Sequence, residues 1–266
     1  MRTVFRPMTR YGILAAVLAA TPAFAQEQPG AQPRSTWDFT VGAGAMARPT
    51  YEGSDHYTVS PIPLIDIKWN DMVEMGQQGI AAYWHQGALK VGVALAFDPG
   101  RDDSKNFFNQ GDDRLKGLGN IDLSTGVKVF GSYQLGRLSF NASATKFNGS
   151  QNDGVVANVG VGLPLRLADG IILTPHVGAT WANDNYMETF FGVTPTQAAR
   201  SIFTSYTADA GFKDVTVGAN LRYRITEHWF AMTDVSVKKL LGSAADSPLT
   251  YSATNAVFMA GVGYHF

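Results

Sequence analysis

The sequence predicts an all-β chain, a transmembrane antiparallel β-barrel of about twelve strands, with ten as the alternative. Three observations predict it. Residues 256–266 alternate strictly: Ala256, Phe258, Ala260, Val262, Tyr264 and Phe266 fall on one face, and Val257, Met259, Gly261, Gly263 and His265 on the other. A strand has period two, so one face is an apolar ribbon and the other is small or polar, as expected of a closing barrel strand ending on an aromatic. The same beat recurs through the chain. Short links also alternate with long polar ones, the asymmetry of tight turns on one side of a membrane and longer loops on the other.

The N-terminus reads as an export signal. Arg2, Arg6 and Arg10 precede an apolar run of about ten residues, too short to span a bilayer as a helix. Ala23-Phe24-Ala25 places small residues at a cleavage site, so residues 1–25 are expected to be a secretory signal peptide cut near Ala25 after Sec export. Gln26 to Thr36, rich in Gln, Pro and Gly, reads as a disordered periplasmic lead-in, and the barrel occupies 37–266. Cleavage takes 21 Lys+Arg to 18, against 22 Asp+Glu, a balance of −4 that offers no nucleic-acid signature. With no cysteine there is no disulfide, thiolate metal site or cysteine nucleophile. No later apolar stretch reaches 18 residues, so a membrane location requires a closed barrel.

Ten strands follow from alternation, at about 37–48, 58–68, 88–98, 119–134, 137–147, 154–167, 170–183, 208–225, 229–241 and 255–266. In the first, Trp37, Phe39, Val41, Ala43 and Ala45 oppose Asp38, Thr40, Gly42 and Gly44; the others follow suit. Both ends of an even-stranded barrel lie on one side. Splitting Met72–Trp84 at Gly76-Gln77-Gln78-Gly79 into two short strands gives twelve and places every long loop outside. Turns are short near Leu135–Arg137, Ala168–Gly170 and Thr226–His228; loops are long at Pro99–Gly117, Asn183–Thr207 and Gly242–Thr254. Within Asn183–Thr207, Thr194 as cap and Pro195 in the first turn predict a short helix over Thr196–Ser201.

Five segments then carry a resemblance. They are Pro49-Thr50-Tyr51-Glu52-Gly53-Ser54-Asp55 with Pro61-Ile62-Pro63-Leu64-Ile65-Asp66; Leu115-Lys116-Gly117-Leu118-Gly119; Trp181 to Thr194; and Leu240-Leu241-Gly242 running to Pro248. In this order they resemble the MltA-interacting protein (MipA/OmpV) family over roughly Trp37 to Phe266. The family often has Gly-Asp after the Leu-Leu, where this chain has Gly242-Ser243. The resemblance implies a non-enzymatic protein of the Gram-negative outer membrane, in contact with lipid and lipopolysaccharide, needing no cofactor. It implies a scaffold for a murein transglycosylase and a murein synthase. Roles in osmotic response, adhesion or antibiotic susceptibility are tied to other members.

The residues themselves leave alternatives open. Arg166, Arg222, Arg224, Lys128 and Lys238 are expected to face the lumen with Asp122 and Asp234. They read either as salt bridges filling the bore or as the lining of a small-solute pore. Asp184, Tyr186, Phe190, Phe191 and Phe203 are candidates for a loop folded inward as a plug, or for an outward contact patch. Asp102, Asp103, Asp112, Asp113, Asp184 and Glu188 match no calcium-loop spacing and read, with Arg101, Lys105, Arg114 and Lys116, as a solvated charged loop or as a contact for lipopolysaccharide phosphates and bridging cations; no metal site is assigned. His176 is the one histidine placed for lumen chemistry, but no Gly-x-Ser-x-Gly elbow accompanies it, so no catalytic residue is assigned.

Overall fold

The structure, a computed structural model, describes residues 36–76, 79–104 and 111–266. The expected signal peptide and nearly all of the lead-in lie outside the described residues, as do Gln77, Gln78 and Lys105. The strands are β1 (Trp37–Pro49), β2 (Tyr57–Trp69), β3 (Val73–Gly76), β4 (Gly79–Gln86), β5 (Leu89–Asp98), β6 (Ser124–Leu135), β7 (Leu138–Asn148), β8 (Val155–Gly162), β9 (Leu165–Ala168), β10 (Ile171–Ala182), β11 (Gly211–Arg224), β12 (Trp229–Leu240) and β13 (Thr254–His265). Each pairs antiparallel with its neighbour, and β13 returns to β1 from Thr40↔His265 to Ala47↔Phe258. The sheet is a closed barrel. Segments β8 and β9 are two parts of one barrel strand, both paired with β10, so thirteen segments make twelve strands.

The β8/β9 interruption has a local cause. Leu163 N donates to Pro175 O at 3.0 Å, so Pro175 turns its carbonyl toward the break. One residue's N–H and C=O point to the same side of a strand, so the N–H that proline lacks falls there too, and Pro164 removes another donor. The expected continuous strand over 154–167 is therefore divided. The strand expected from 119 starts at Ser124 instead. Residues ahead of it turn back to make an isolated bridge, Arg101↔Ile121, in the rim loop.

Parity separates two environments. Val59, Val93, Val127, Val159, Val217 and Val235 stand exposed on the outer face. Trp37, Trp69, Trp229, Tyr133, Tyr223 and Phe266 cluster exposed at the short-turn end, in the interfacial position that amphipathic rings favour. No helix among the described residues is long and apolar enough to cross a membrane. Inside, rings sit in glycine notches. A Cβ on Gly263 would lie 2.4 Å from Phe230 Cζ, and one on Gly92 would lie 2.6 Å from Phe130 Cζ. Short turns use residues that tolerate positive φ: Asn70 (52°), Asp71 (53°), Gly87 (58°), Gly136 (59°) and Gly170 (78°).

Buried apolar residues concentrate at the long-loop end, where α1 (Asp184–Phe191), α2 (Pro195–Ala198) and α3 (Gly242–Ala245) lie. Helix α2 has the expected cap: Thr194 Oγ1 accepts from Gln197 N, and Gln197 Oε1 accepts from Thr194 N at 2.9 Å. It ends at Ala198, short of the predicted span, and α1 was not predicted.

Replacing outward Val235 with Arg is expected to cost ~2–4 kcal/mol at mid-membrane depth, against under ~1.5 kcal/mol for Val235→Leu. Replacing Gly263 with Val, against the Phe230 ring, is expected to cost ~1–3 kcal/mol by overpacking. Urea unfolding in lipid vesicles reads both.

Candidate functional site

The long-loop mouth is built from four interlocking segments. Asn183 caps α1, its Oδ1 accepting from Tyr186 N at 3.2 Å and from Val155 N at 2.7 Å, so one side chain ties the helix to the barrel rim. Tyr186, Met187, Phe190 and Phe191 of α1 then pack with Phe147, Val156 and Leu240, which face the lumen on β7, β8 and β12. A second cluster joins Phe203 to Tyr51, Leu115, Leu118, Val193 and Leu249. Phe191, Leu115, Met187 and Leu249 are fully buried; each such side chain contributes about 1.5–3 kcal/mol. Polar ties cross the segments. Arg101 Nη1 donates to Phe190 O at 2.9 Å, Ser247 Oγ to Phe191 O at 2.6 Å, Gln197 Nε2 to Leu118 O at 2.8 Å and Tyr51 Oη to Leu249 O at 3.1 Å.

Of the five plug candidates, the four rings are brought into this cap. Asp184 stays exposed at the first turn of α1 and accepts from Ala210 N at 2.6 Å. The loop acids are not uniformly solvated. Asp112 is buried, accepting from Thr50 Oγ1 at 2.9 Å and pairing with Arg114 at 3.0 Å and His56 at 3.2 Å. Burial opposes its charge, but the Arg114 and Thr50 hydrogen bonds outweigh that and hold the carboxyl well below the usual range. Arg114 also reaches Asp55 at 2.6 Å and lies over the Tyr251 ring at 4.1 Å. No cluster of three or more potential metal ligands occurs among the described residues.

Beneath the cap lies a charged group that alternation does not reveal. Register shifts between Thr180 and Trp181, where Thr180 pairs with Asp214 but Trp181 pairs with Phe212. Lys213 is the extra residue of a β-bulge, so consecutive Lys213 and Asp214 are both buried, at 3% and 1% exposure. Lys213 Nζ bonds both Glu52 oxygens at 2.6 and 2.7 Å and lies 3.0 Å from Asp214 Oδ2. Lys238 Nζ adds contacts at 3.2 Å to Glu52 and 3.7 Å to Asp214. Thr180 Oγ1 is 3.1 Å from both Asp214 and Asn158. Two lysines and two carboxylates therefore balance. Burial pushes the Glu52 carboxyl up, but Lys213 and Lys238 together outweigh it and hold it down at about 2.

The remaining lumen candidates are dispersed. Lys128 is half-buried on the inner face of β6. Asp234 pairs in register with Asn220 and Met259 on the inner face of β12. Arg166, Arg222 and Arg224 gather at the short-turn end, where Arg222 lies 4.1 Å over the Phe230 ring. Asp122 departs from the expectation: it precedes β6, sits exposed in the rim loop, and its N–H donates to Gln151 Oε1 at 2.8 Å. His176 borders a cavity of about 330 Å³ with Ser139, Asn141, Thr174 and Thr216, and no hydrogen bond from it to a serine or an acid occurs among the described residues.

The lysine–carboxylate group has a pH signature. Glu52 is depressed in the folded state, so its contribution is present above its ordinary value of 4.5 and is lost as pH falls toward about 2. Glu52→Gln is expected to lower stability at neutral pH by about 2 kcal/mol. The gap between parent and variant should close between pH 4.5 and about 2, as read by unfolding in detergent across that window.

Comparison with known proteins adds the family. The model described as "MltA-interacting protein MipA" matches residues 41–266. The MltA-interacting protein of Escherichia coli K12 is 22% identical over 263 residues, covering 97% of this chain and all of that protein. The putative outer membrane protein YiaT of Escherichia coli O157:H7 is 24% identical over 246 residues, covering 86% and 91%. Among solved structures, a bacterial polysaccharide outer membrane secretin aligns with a TM-score of 0.43 at 7% identity, over 88% of this chain and 99% of that one. The OmpT outer membrane protein of Vibrio cholerae aligns at 0.38 and 9%, over 86% and 96%. The closed antiparallel barrel and the match over most of its length lead to one conclusion: the chain belongs to the MltA-interacting protein MipA family.

Proposed function

We propose that this outer-membrane barrel is a non-enzymatic scaffold, capped on its long-loop side, that holds a murein transglycosylase and a murein synthase at the membrane. One observation carries the reading. The apolar cap of Tyr186, Met187, Phe190 and Phe191 is seated on the lumen-facing Phe147, Val156 and Leu240, an arrangement that favours a closed bore over a transport path. A barrel that does not conduct acts through its surfaces, and the short turns at 70–72, 87–88, 136–137, 169–170 and 225–228 form the rim assigned in this reading to the periplasmic side. The name of the Escherichia coli relative, MltA-interacting protein, supports a partner of that class.

The rival is a small-solute pore lined by Arg166, Arg222 and Arg224, which stand on the inner face at the short-turn end. Two experiments decide between them. In planar bilayers the scaffold is expected to be silent; steady conductance whose ion preference changes in Arg222→Gln would establish the pore instead. Crosslinked envelope pull-downs are expected to recover a murein hydrolase and a murein synthase, and their absence would remove the scaffold assignment.

A further inference from the structure

Under the cap, the inner face of the barrel and the loops line a partly open chamber of about 360 Å³. That is near the lower end of small-molecule sites, room for one compact solute. Its two principal acids are already committed. Glu52 is held by Lys213 and Lys238. Asp98 Oδ1 accepts from Gly100 N at 2.9 Å, and Asn152 Nδ2 lies 3.4 Å from Asp98 Oδ2.

Its arginines are not committed in the same way. Arg101 is 9% exposed, and its Nη1 donates to the Phe190 carbonyl. Its Nε is buried with no hydrogen-bond partner, and no ion pair to Arg101 occurs among the described residues. Arg48, exposed at the end of β1 on the inner face, also lines the chamber and makes no ion pair among the described residues. A buried donor left unmade costs about 1–3 kcal/mol, more when charged, so natural proteins rarely keep one without a use. Burial pushes the Arg101 guanidinium down to about 10, which leaves it charged at neutral pH.

We propose that this chamber is a binding site for a small monocarboxylate, held by Arg101 and Arg48 with its apolar body against Tyr51, Tyr186 and Phe190. The planar guanidinium matches a carboxylate in geometry and charge. The three aromatic side chains line the same chamber and suit an apolar or aromatic body. Asp102 also lines it and makes no ion pair among the described residues, which disfavours ligands with a second or third negative charge. The site is independent of the scaffold assignment, because it requires only the chamber and its arginines.

Isothermal titration of the full-length protein in detergent micelles tests this, with benzoate as probe and the isosteric, uncharged benzamide as control. Benzoate is expected to saturate and to bind at least about tenfold more tightly than benzamide, the worth of one charge-assisted hydrogen bond. Arg48→Gln and Arg101→Lys are each expected to reduce that preference several-fold. The preference is the decisive readout, because a cap merely loosened by substitution would weaken both ligands alike. Equal binding of benzoate and benzamide, no saturable benzoate binding up to about 10 mM, or a preference unchanged in both variants would overturn the site.

Discussion

The structure depends on one constraint: within hydrocarbon, every backbone N–H and C=O must find a partner in the protein itself. The β1–β13 seam meets it. Eight residues of β1, Thr40 to Ala47, pair with β13 and remove the last open edge of the sheet. Once the edges are joined, side chains have two places to go, lipid or bore, and the two-residue beat of each strand assigns them. Departures from regular pairing occur at identifiable residues. The prolines 164 and 175 divide β8 from β9, and the bulge at Lys213 falls at the long-loop end of its hairpin, where β10 gives way to the cap.

Closure creates the setting for the cap. A bore of about twelve strands is wider than side chains fill unaided in small barrels and narrower than an open porin. In this chain glycine notches admit Phe130 and Phe230, and rings from α1 pack onto lumen-facing side chains at the long-loop mouth. Covering charges with rings requires compensation. Lys213, Lys238, Glu52 and Asp214 supply it by neutralising one another beneath Tyr186, whose ring lies 5.7 Å from Lys213 Nζ. Burial pushes the Tyr186 hydroxyl up, and the nearby carboxylates push it further, so it stays neutral in that company. The cap therefore combines an apolar layer with a balanced ionic layer under it.

The barrel was legible because its periodicity is a one-dimensional trace of a two-solvent environment. Val235 and Val237 against Asp234, Ser236 and Lys238 carry their orientation in the sequence, as do Ala256 to Phe266. The hairpin across Gly76–Gly79 and the Thr194 cap of α2 were equally local, being matters of turn and cap chemistry. The Glu52–Lys213–Asp214–Lys238 group was not legible. Its members are separated by up to 186 positions, and Lys213 by strict alternation belongs on the lipid side. Only the signal of two adjacent opposite charges, Lys213-Asp214, at the start of a strand hints at a bulge. Helix α1 also escaped, because Asp184 to Phe191 is a single short amphipathic segment whose helicity comes from packing on the mouth rather than from propensity.

By itself, then, the sequence determined the barrel and its strand pairing order, through near-neighbour periodicity and connection length, and its family, through motifs spread along the chain. Tertiary structure alone decided which rings meet at the mouth, which charges meet beneath them, and that Arg101 is buried with a donor to spare. Those outcomes depend on loops distant in the chain converging on one rim. The convergence is set by barrel closure and apolar packing, neither of which any single segment encodes.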